Sequence, residues 1–230
     1  MDPVISLSPM RAGEHAMAGM AMGATSHSWA IARFGITFFM WWVMMIAMML
    51  PSAAPTILLY ARAALSDRSV SRPATESFLI GYLLIWGGFS LIATLVQLLL
   101  EQSGLLARMQ MVLTSRILSS GILIAAGIYQ LSPLKEACLR HCRSPAHFLS
   151  RYYKAGTRGA IRMGVMHGSY CVGCCWLLMA LLFVGGVMNL MWIALLTLLV
   201  AAEKLLPFGR RFAIFAGLCC IVGGAVVLGV

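Results

Sequence analysis

The sequence predicts an all-α protein, a polytopic membrane bundle of about six transmembrane helices with both termini outside. Of its 230 residues, 61% are hydrophobic and only 10% are charged, whereas soluble domains are about 45–50% apolar and about 25% charged. The apolar residues also form runs of about 20, the helix length that crosses a ~30 Å hydrocarbon core. This composition excludes an ordinary globular enzyme.

Six apolar segments, separated by charged or Gly- and Pro-bearing breaks, give the predicted spans. They cover residues 34–60, 77–100, 113–132, 164–186, 189–206 and 211–230. The fourth and fifth form one apolar stretch, which as a single helix would be about twice as long as the bilayer is thick. The run Gly185-Gly186-Val187-Met188-Asn189 offers turn residues between them, so we expect a tight helical hairpin.

The distribution of lysine and arginine orients these spans. Six spans place thirteen of the 17 Lys and Arg residues on the side opposite the termini. By the positive-inside rule, residues 1–33 are then an exported tail, and residues 34–230 form the membrane domain, with a basic cytoplasmic loop at 134–162. The same bias accounts for most of the net charge of +10. The expected partner is therefore the lipid bilayer, and no nucleic acid is inferred.

Three of the seven cysteines, Cys171, Cys174 and Cys175, lie within five residues of the fourth segment. His167 precedes Cys171 by one helical turn, so a helix would place both side chains on one face. Thiols and an imidazole at this spacing are typical of a soft-metal or dithiol site. Packing is the alternative, because a buried cysteine behaves as a small hydrophobic residue.

A second pair, Cys138 and Cys142, lies in the basic loop. If residues 134–143 are helical, the spacing of four places both thiols on one face, where they could chelate a soft metal. Structural disulfides are disfavoured at both cysteine groups, which face a reducing compartment or lie in lipid. The sequence leaves open whether the loop folds back onto the fourth segment, and therefore whether the cysteines form one site or two.

Methionines are concentrated in the first span. Met44 and Met48 are four residues apart, as are Met45 and Met49, so each pair shares a helix face near the middle of the span. Their thioethers could act as weak, exchangeable ligands of Cu(I). Core packing is the alternative, since methionine commonly fills gaps in helical bundles.

The tail adds His15, Met17, Met20 and Met22 in a stretch made mostly of Ala, Gly and Ser. These methionines have few apolar partners to pack against. Thioether and imidazole groups suit Cu(I), whereas calcium or magnesium would require carboxylates. We therefore interpret the tail as a weak site that captures a soft metal.

Motifs typical of a known family lie in three stretches: residues 41–51 (WWVMMIAMMLP), 129–145 (YQLSPLK followed by CLRHCRSP) and 168–179 (GSYCVGCCWLLM). Their combination, over about residues 40–209, resembles the uncharacterised bacterial family labelled predicted metal-binding integral membrane proteins. The resemblance implies a multi-pass protein of the bacterial inner membrane. It implies metal binding at the matched positions Met44, Met48, Met49, Cys138, Cys142, Cys171, Cys174 and Cys175.

The leading functional hypothesis is a membrane protein that binds Cu(I), for copper uptake or for delivery to a membrane metalloenzyme, with a copper-dependent membrane enzyme or a metallochaperone as its expected partner. Ligand softness increases from the tail, through the span methionines, to the cysteines. Zinc, or no metal at all, is the alternative cofactor assignment. No carboxylate pair, Ser-His-Asp set or phosphate loop is visible, so enzyme activity is not expected.

Two other function classes remain open. One is a structural or assembly subunit of a larger membrane complex, in which Gly217, Gly223 and Gly224 seat against a partner. The other is a thiol redox protein that uses the C-x-x-C pair, although burial raises a thiol pKa and slows exchange. Glu203 and Lys204, at the end of the fifth segment, are interpreted as an interfacial anchor, with a proton or ion relay as the alternative.

Overall fold

The computed structural model describes residues 10–66, 75–107, 111–154 and 156–229, except for the side chains of residues 10–28 and 66. The described chain is almost entirely helical. Its helices are α1 (Met10–Ser66), α2 (Thr75–Gln102), α3 (Arg116–Leu131), α4 (Pro133–Arg143), α5 (Pro145–Tyr152), α6 (Thr157–Ala180), α7 (Leu182–Gly185), α8 (Leu190–Leu205) and α9 (Gly209–Leu228). Strands β1 (Leu106–Ala107) and β2 (Val112–Leu113) pair antiparallel between α2 and α3.

The all-helical prediction is confirmed, and the number of spans is confirmed only in part. Four described segments are long and apolar enough to cross a membrane: Trp29–Leu65, Thr75–Gln102, Thr157–Gly185 and Gly209–Leu228. The pair α3 and α4, bent by 64°, is a fifth candidate. Helix α8 matches the fifth predicted segment but has only 16 residues, which span about 24 Å of a ~30 Å core. Six spans, and termini outside, remain predictions.

The predicted turn between the fourth and fifth segments is confirmed. Helix α7 ends at Gly185, and Gly186 adopts a φ of 96°, a conformation that L side chains rarely take. Asn189 then caps α8, its side-chain oxygen accepting a hydrogen bond from the backbone N–H of Trp192 at 3.2 Å. The turn is therefore specified by local chemistry.

The basic region 134–162, predicted as a loop between spans, contains α4, α5 and the start of α6. Ser132 ends α3 and caps α4, because its hydroxyl accepts a hydrogen bond from the backbone N–H of Lys135 at 3.2 Å. Pro133, at the first position of α4, has no N–H to offer α3 and is well suited to begin a helix. These two residues produce the bend, and α4 turns back to pack against α6.

Glycines allow two helix pairs to approach closely, α2 with α6 and α3 with α9. A Cβ on Gly81 of α2 would collide with the backbone oxygen of Ile161 in α6. On α9, a Cβ on Gly217 would lie 2.8 Å from the Gln130 Cβ, and one on Gly224 would lie 3.0 Å from the Ser120 oxygen.

The hypothesis that these α9 glycines seat against a partner protein is therefore wrong for two of the three. Gly217 and Gly224 pack against α3 of the same chain, whereas Gly223 faces open space. The small residues of α9 serve close packing within the bundle, as small residues do between membrane helices generally.

We expect Gly81→Ala to destabilise the protein by about 1–3 kcal/mol, because the added methyl group forces α2 away from the α6 backbone. Gly88→Ala is the matched control on the same helix, where nothing lies within 4 Å, and there the better helix propensity of alanine stabilises by up to about 1 kcal/mol. Unfolding in detergent micelles, followed by circular dichroism, compares the two variants. Equal stability of the two variants would contradict the close approach.

Candidate metal centre

The three cysteines of α6 share one buried face, as predicted. Cys171, Cys174 and Cys175 are each only 1% exposed. The thiols of Cys174 and Cys175 lie 3.1 Å and 3.0 Å from the backbone oxygen of Cys171, to which they donate. A single helical turn therefore brings three sulfur atoms together inside the protein.

Helix α4 supplies a fourth thiol to this group. Cys142 is buried, and its side chain contacts those of Cys171 and Cys174. Each of these two in turn contacts Cys175. The four thiols thus form a closed arrangement, called here the thiol ring: Cys171, Cys142, Cys174 and Cys175. One cysteine of the basic region, Cys142, therefore lies together with the three cysteines of α6.

Cys138, four residues from Cys142, lies at the edge of the thiol ring, next to Gly173 and close enough to Cys174 to interact with it electrostatically. Its side chain is half-buried, and its sulfur lies 3.0 Å from the place where a Cβ of Gly173 would be. The expectation that α4 places both thiols on one helix face is confirmed by its helical backbone. The ligand role expected of Cys138 is untested, and the contacts of Cys142 with the other thiols make Cys142 the stronger ligand candidate on α4.

Among the described residues, no set of three or more His, Cys, Asp or Glu side chains forms a preassembled metal site. The thiols of the ring are neighbours and do not yet form a coordination sphere. A bound ion would therefore have to draw them together through side-chain rotation.

The first span contributes a thioether. The Met49 sulfur lies 3.9 Å from the Cys175 sulfur, and Met49 is fully buried. Met48 is also buried on α1, and Met44 is half-buried. Of the three predicted methionine ligands, Met49 lies beside the thiol ring, and the roles of the other two remain predictions.

Lys204 lies against the same sulfur atoms, a feature that the sequence did not lead us to expect. Its ammonium nitrogen is 2.9 Å from the Cys171 sulfur, 3.4 Å from the Ser52 hydroxyl and 3.9 Å from the Met49 sulfur. The Tyr82 hydroxyl lies 3.2 Å from the Cys171 sulfur and donates to the backbone oxygen of Met49 at 3.3 Å. The thiol ring is thus bordered on one side by polar groups from α1, α2 and α8.

Glu203, the residue before Lys204 in the sequence, takes part in a buried ion pair. Lys135 of α4 and Glu203 of α8 form a salt bridge of 2.6 Å, with both side chains at most 2% exposed. Gln130 of α3 donates to the other Glu203 oxygen at 2.7 Å and accepts a hydrogen bond from Lys135. The interpretation of Glu203 and Lys204 as an interfacial anchor is therefore wrong, because the bundle buries both side chains.

His167 lies on the buried face of α6 but among aromatic rings. Its ring centroid is 6.1 Å from that of Phe78, 5.9 Å from that of Tyr82 and 5.4 Å from that of Phe148. Its Nδ1 atom is buried and has no hydrogen-bond partner among the described residues. The imidazole lies one helical turn from Cys171 on α6. Its role as a metal ligand remains a prediction.

The predicted tail ligands His15, Met17, Met20 and Met22 fall within α1, but their side chains lie outside the described residues. Metal capture by this segment stays a prediction that rests on composition alone.

No curated protein and no solved structure matches the chain. A family described as PpoB2, copper chaperone, matches residues 38–227. The match includes every residue of the thiol ring, Met49 and Lys204, and it begins after the tail. It agrees with the expected resemblance to a metal-related family, and its description names copper. Since it covers well over half of the sequence, the chain belongs to the PpoB2 copper chaperone family.

Proposed function

We propose that this protein is an integral membrane copper chaperone that binds Cu(I) at the thiol ring and delivers it to a copper-dependent membrane enzyme. One observation carries the proposal. Four buried thiols from α4 and α6 meet the Met49 thioether of α1 in the part of the chain that matches the family.

The donor atoms favour Cu(I) as the cargo. Thiolate and thioether are soft ligands, and Cu(I) is the soft cation that they select. Four thiols could also serve structural zinc by number, but the Met49 thioether beside them is a donor that suits Cu(I) rather than zinc. Cu(I) accepts two or three sulfur ligands, so two neighbouring thiols of the ring suffice.

The surplus of sulfur atoms suits a chaperone. The ring holds more thiols than one Cu(I) ion needs as ligands. The ion can therefore pass from one sulfur atom to the next by ligand exchange. Burial keeps water away from the bound ion, since all four thiols and Met49 are at most 9% exposed. Delivery rather than uptake is the role that the family description supports.

Copper content tests the proposal directly. We expect the protein, purified anaerobically in detergent and loaded with Cu(I), to hold copper near stoichiometry, and Cys171/Cys174/Cys175→Ser to lose it. The matched control is Cys219→Ser/Cys220→Ser, since Cys219 is exposed and Cys220 half-buried on α9, and this variant should bind as the parent does. A folded parent that stays empty after loading would overturn the proposal.

A further inference from the structure

The buried charges of the bundle do not cancel. Lys135 and Glu203 neutralise each other across a 2.6 Å salt bridge. Lys204, 6% exposed, forms no salt bridge with any described carboxylate and instead hydrogen-bonds to Cys171 and Ser52. One positive charge is therefore left in the interior, beside sulfur atoms.

An isolated buried cation is costly unless an anion accompanies it. The groups that can supply that anion beside Lys204 are the thiols, because a metal-bound cysteine is a thiolate. The number of thiolates that bind one Cu(I) fixes the charge of the complex. One thiolate gives a neutral complex, two give a single negative charge and three give a double negative charge. Only the complex with two thiolates balances the single positive charge of Lys204.

We propose that Lys204 is a positioning residue that fixes the bound species as one Cu(I) held by two thiolates, with Cys171 and Cys142 as the ligands. This inference rests on the proposed function. Cys171 is the thiol that Lys204 touches, at 2.9 Å. Cys142 contacts Cys171 from a different helix. Two thiolates on separate helices can take opposite sides of the ion, the arrangement that two-coordinate Cu(I) prefers.

The other sulfur atoms then have a different task. Cys174, Cys175 and Met49 border the pair without being needed for charge balance. They are the ligands that next receive an ion leaving by ligand exchange, since Cys174 contacts both Cys142 and Cys175.

The test removes the charge without adding a metal ligand. Lys204→Leu should weaken Cu(I) affinity by roughly 10–100-fold in competition with a chromogenic Cu(I) chelator, because the anionic complex loses its counter-charge. Lys154→Leu is the matched control, the same substitution at an exposed position, and it should change the affinity by less than about twofold. Thermal unfolding of both variants in detergent checks that the bundle is intact.

X-ray absorption at the copper edge supplies a readout that a purely structural role would not change. The parent should show one copper with two thiolate ligands, and Lys204→Leu should show fewer thiolates with a longer, thioether-like copper–sulfur distance. Three thiolates or copper–copper scattering in the parent would overturn the inference, as would parent-like affinity in Lys204→Leu. A parent spectrum with three thiolates overturns the inference even if Lys204→Leu does not fold. A parent that binds no copper would instead refute the proposed function.

Discussion

Replacing Cys142 by serine is expected to weaken Cu(I) binding at least about tenfold, or about 1.4 kcal/mol, whereas Cys138→Ser leaves the affinity unchanged. Both cysteines lie on α4, four residues apart. Cys142 is buried and contacts the Cys171 and Cys174 thiols, while Cys138 is half-buried beside Gly173. The hydroxyl that replaces the Cys142 thiol is a hard donor with little affinity for Cu(I).

An anaerobic Cu(I) titration in detergent, in competition with a chromogenic chelator, measures both variants under the same conditions. Because the two positions share a helix, an effect of serine on α4 itself would appear in both. A loss of affinity in Cys138→Ser equal to that in Cys142→Ser would contradict the assignment of Cys142, and not Cys138, as the metal ligand on α4.

The helices were predictable because their signal is local. Each of the six apolar segments corresponds to a helix of the structure, and the turn at Gly186 and Asn189 was specified by the residues that form it. The return of α4 onto α6 was not predictable. It depends on the bend at Ser132 and Pro133. It also depends on the salt bridge between Lys135 and Glu203, which are 68 residues apart in the sequence.

The candidate metal centre was predictable to the extent that its atoms are chemically distinctive. Clustered thiols and methionines stand out in an apolar chain, and they led to the three α6 cysteines, Cys142 and Met49. Lys204 and Tyr82 are individually ordinary, and they reach the site only through tertiary packing. One signal was present in the sequence for Lys204, since it lies inside the fifth apolar segment and a lysine within a membrane segment is rare without a functional reason.

The largest effect on stability is expected from breaking the buried ion pair. Lys135→Met leaves the Glu203 carboxylate buried without its cation, which should cost about 3–5 kcal/mol. The matched control is Arg140→Met on the same helix. Arg140 pairs with Glu136 at 3.3 Å, but its side chain is 76% exposed, so its loss should cost no more than about 1 kcal/mol.

The double variant Lys135→Met/Glu203→Met separates charge burial from packing. Removing both charges leaves no unpaired ion, so its stability should lie well above that of Lys135→Met. Chemical unfolding in detergent gives the free energies of unfolding of Lys135→Met, Arg140→Met and the double variant. If Lys135→Met proved as stable as Arg140→Met, the ion pair would not be buried as the structure shows.

The same variants connect the ion pair to the candidate metal centre. Lys135 and Cys142 both lie on α4, seven residues or about two helical turns apart, so the salt bridge that fixes α4 on α8 also holds Cys142 against Cys171. Lys135→Met should therefore lose Cu(I) affinity together with stability, and the double variant should recover both. Recovery of stability without recovery of affinity would show that the ion pair acts on copper through its charge rather than by holding α4 in place.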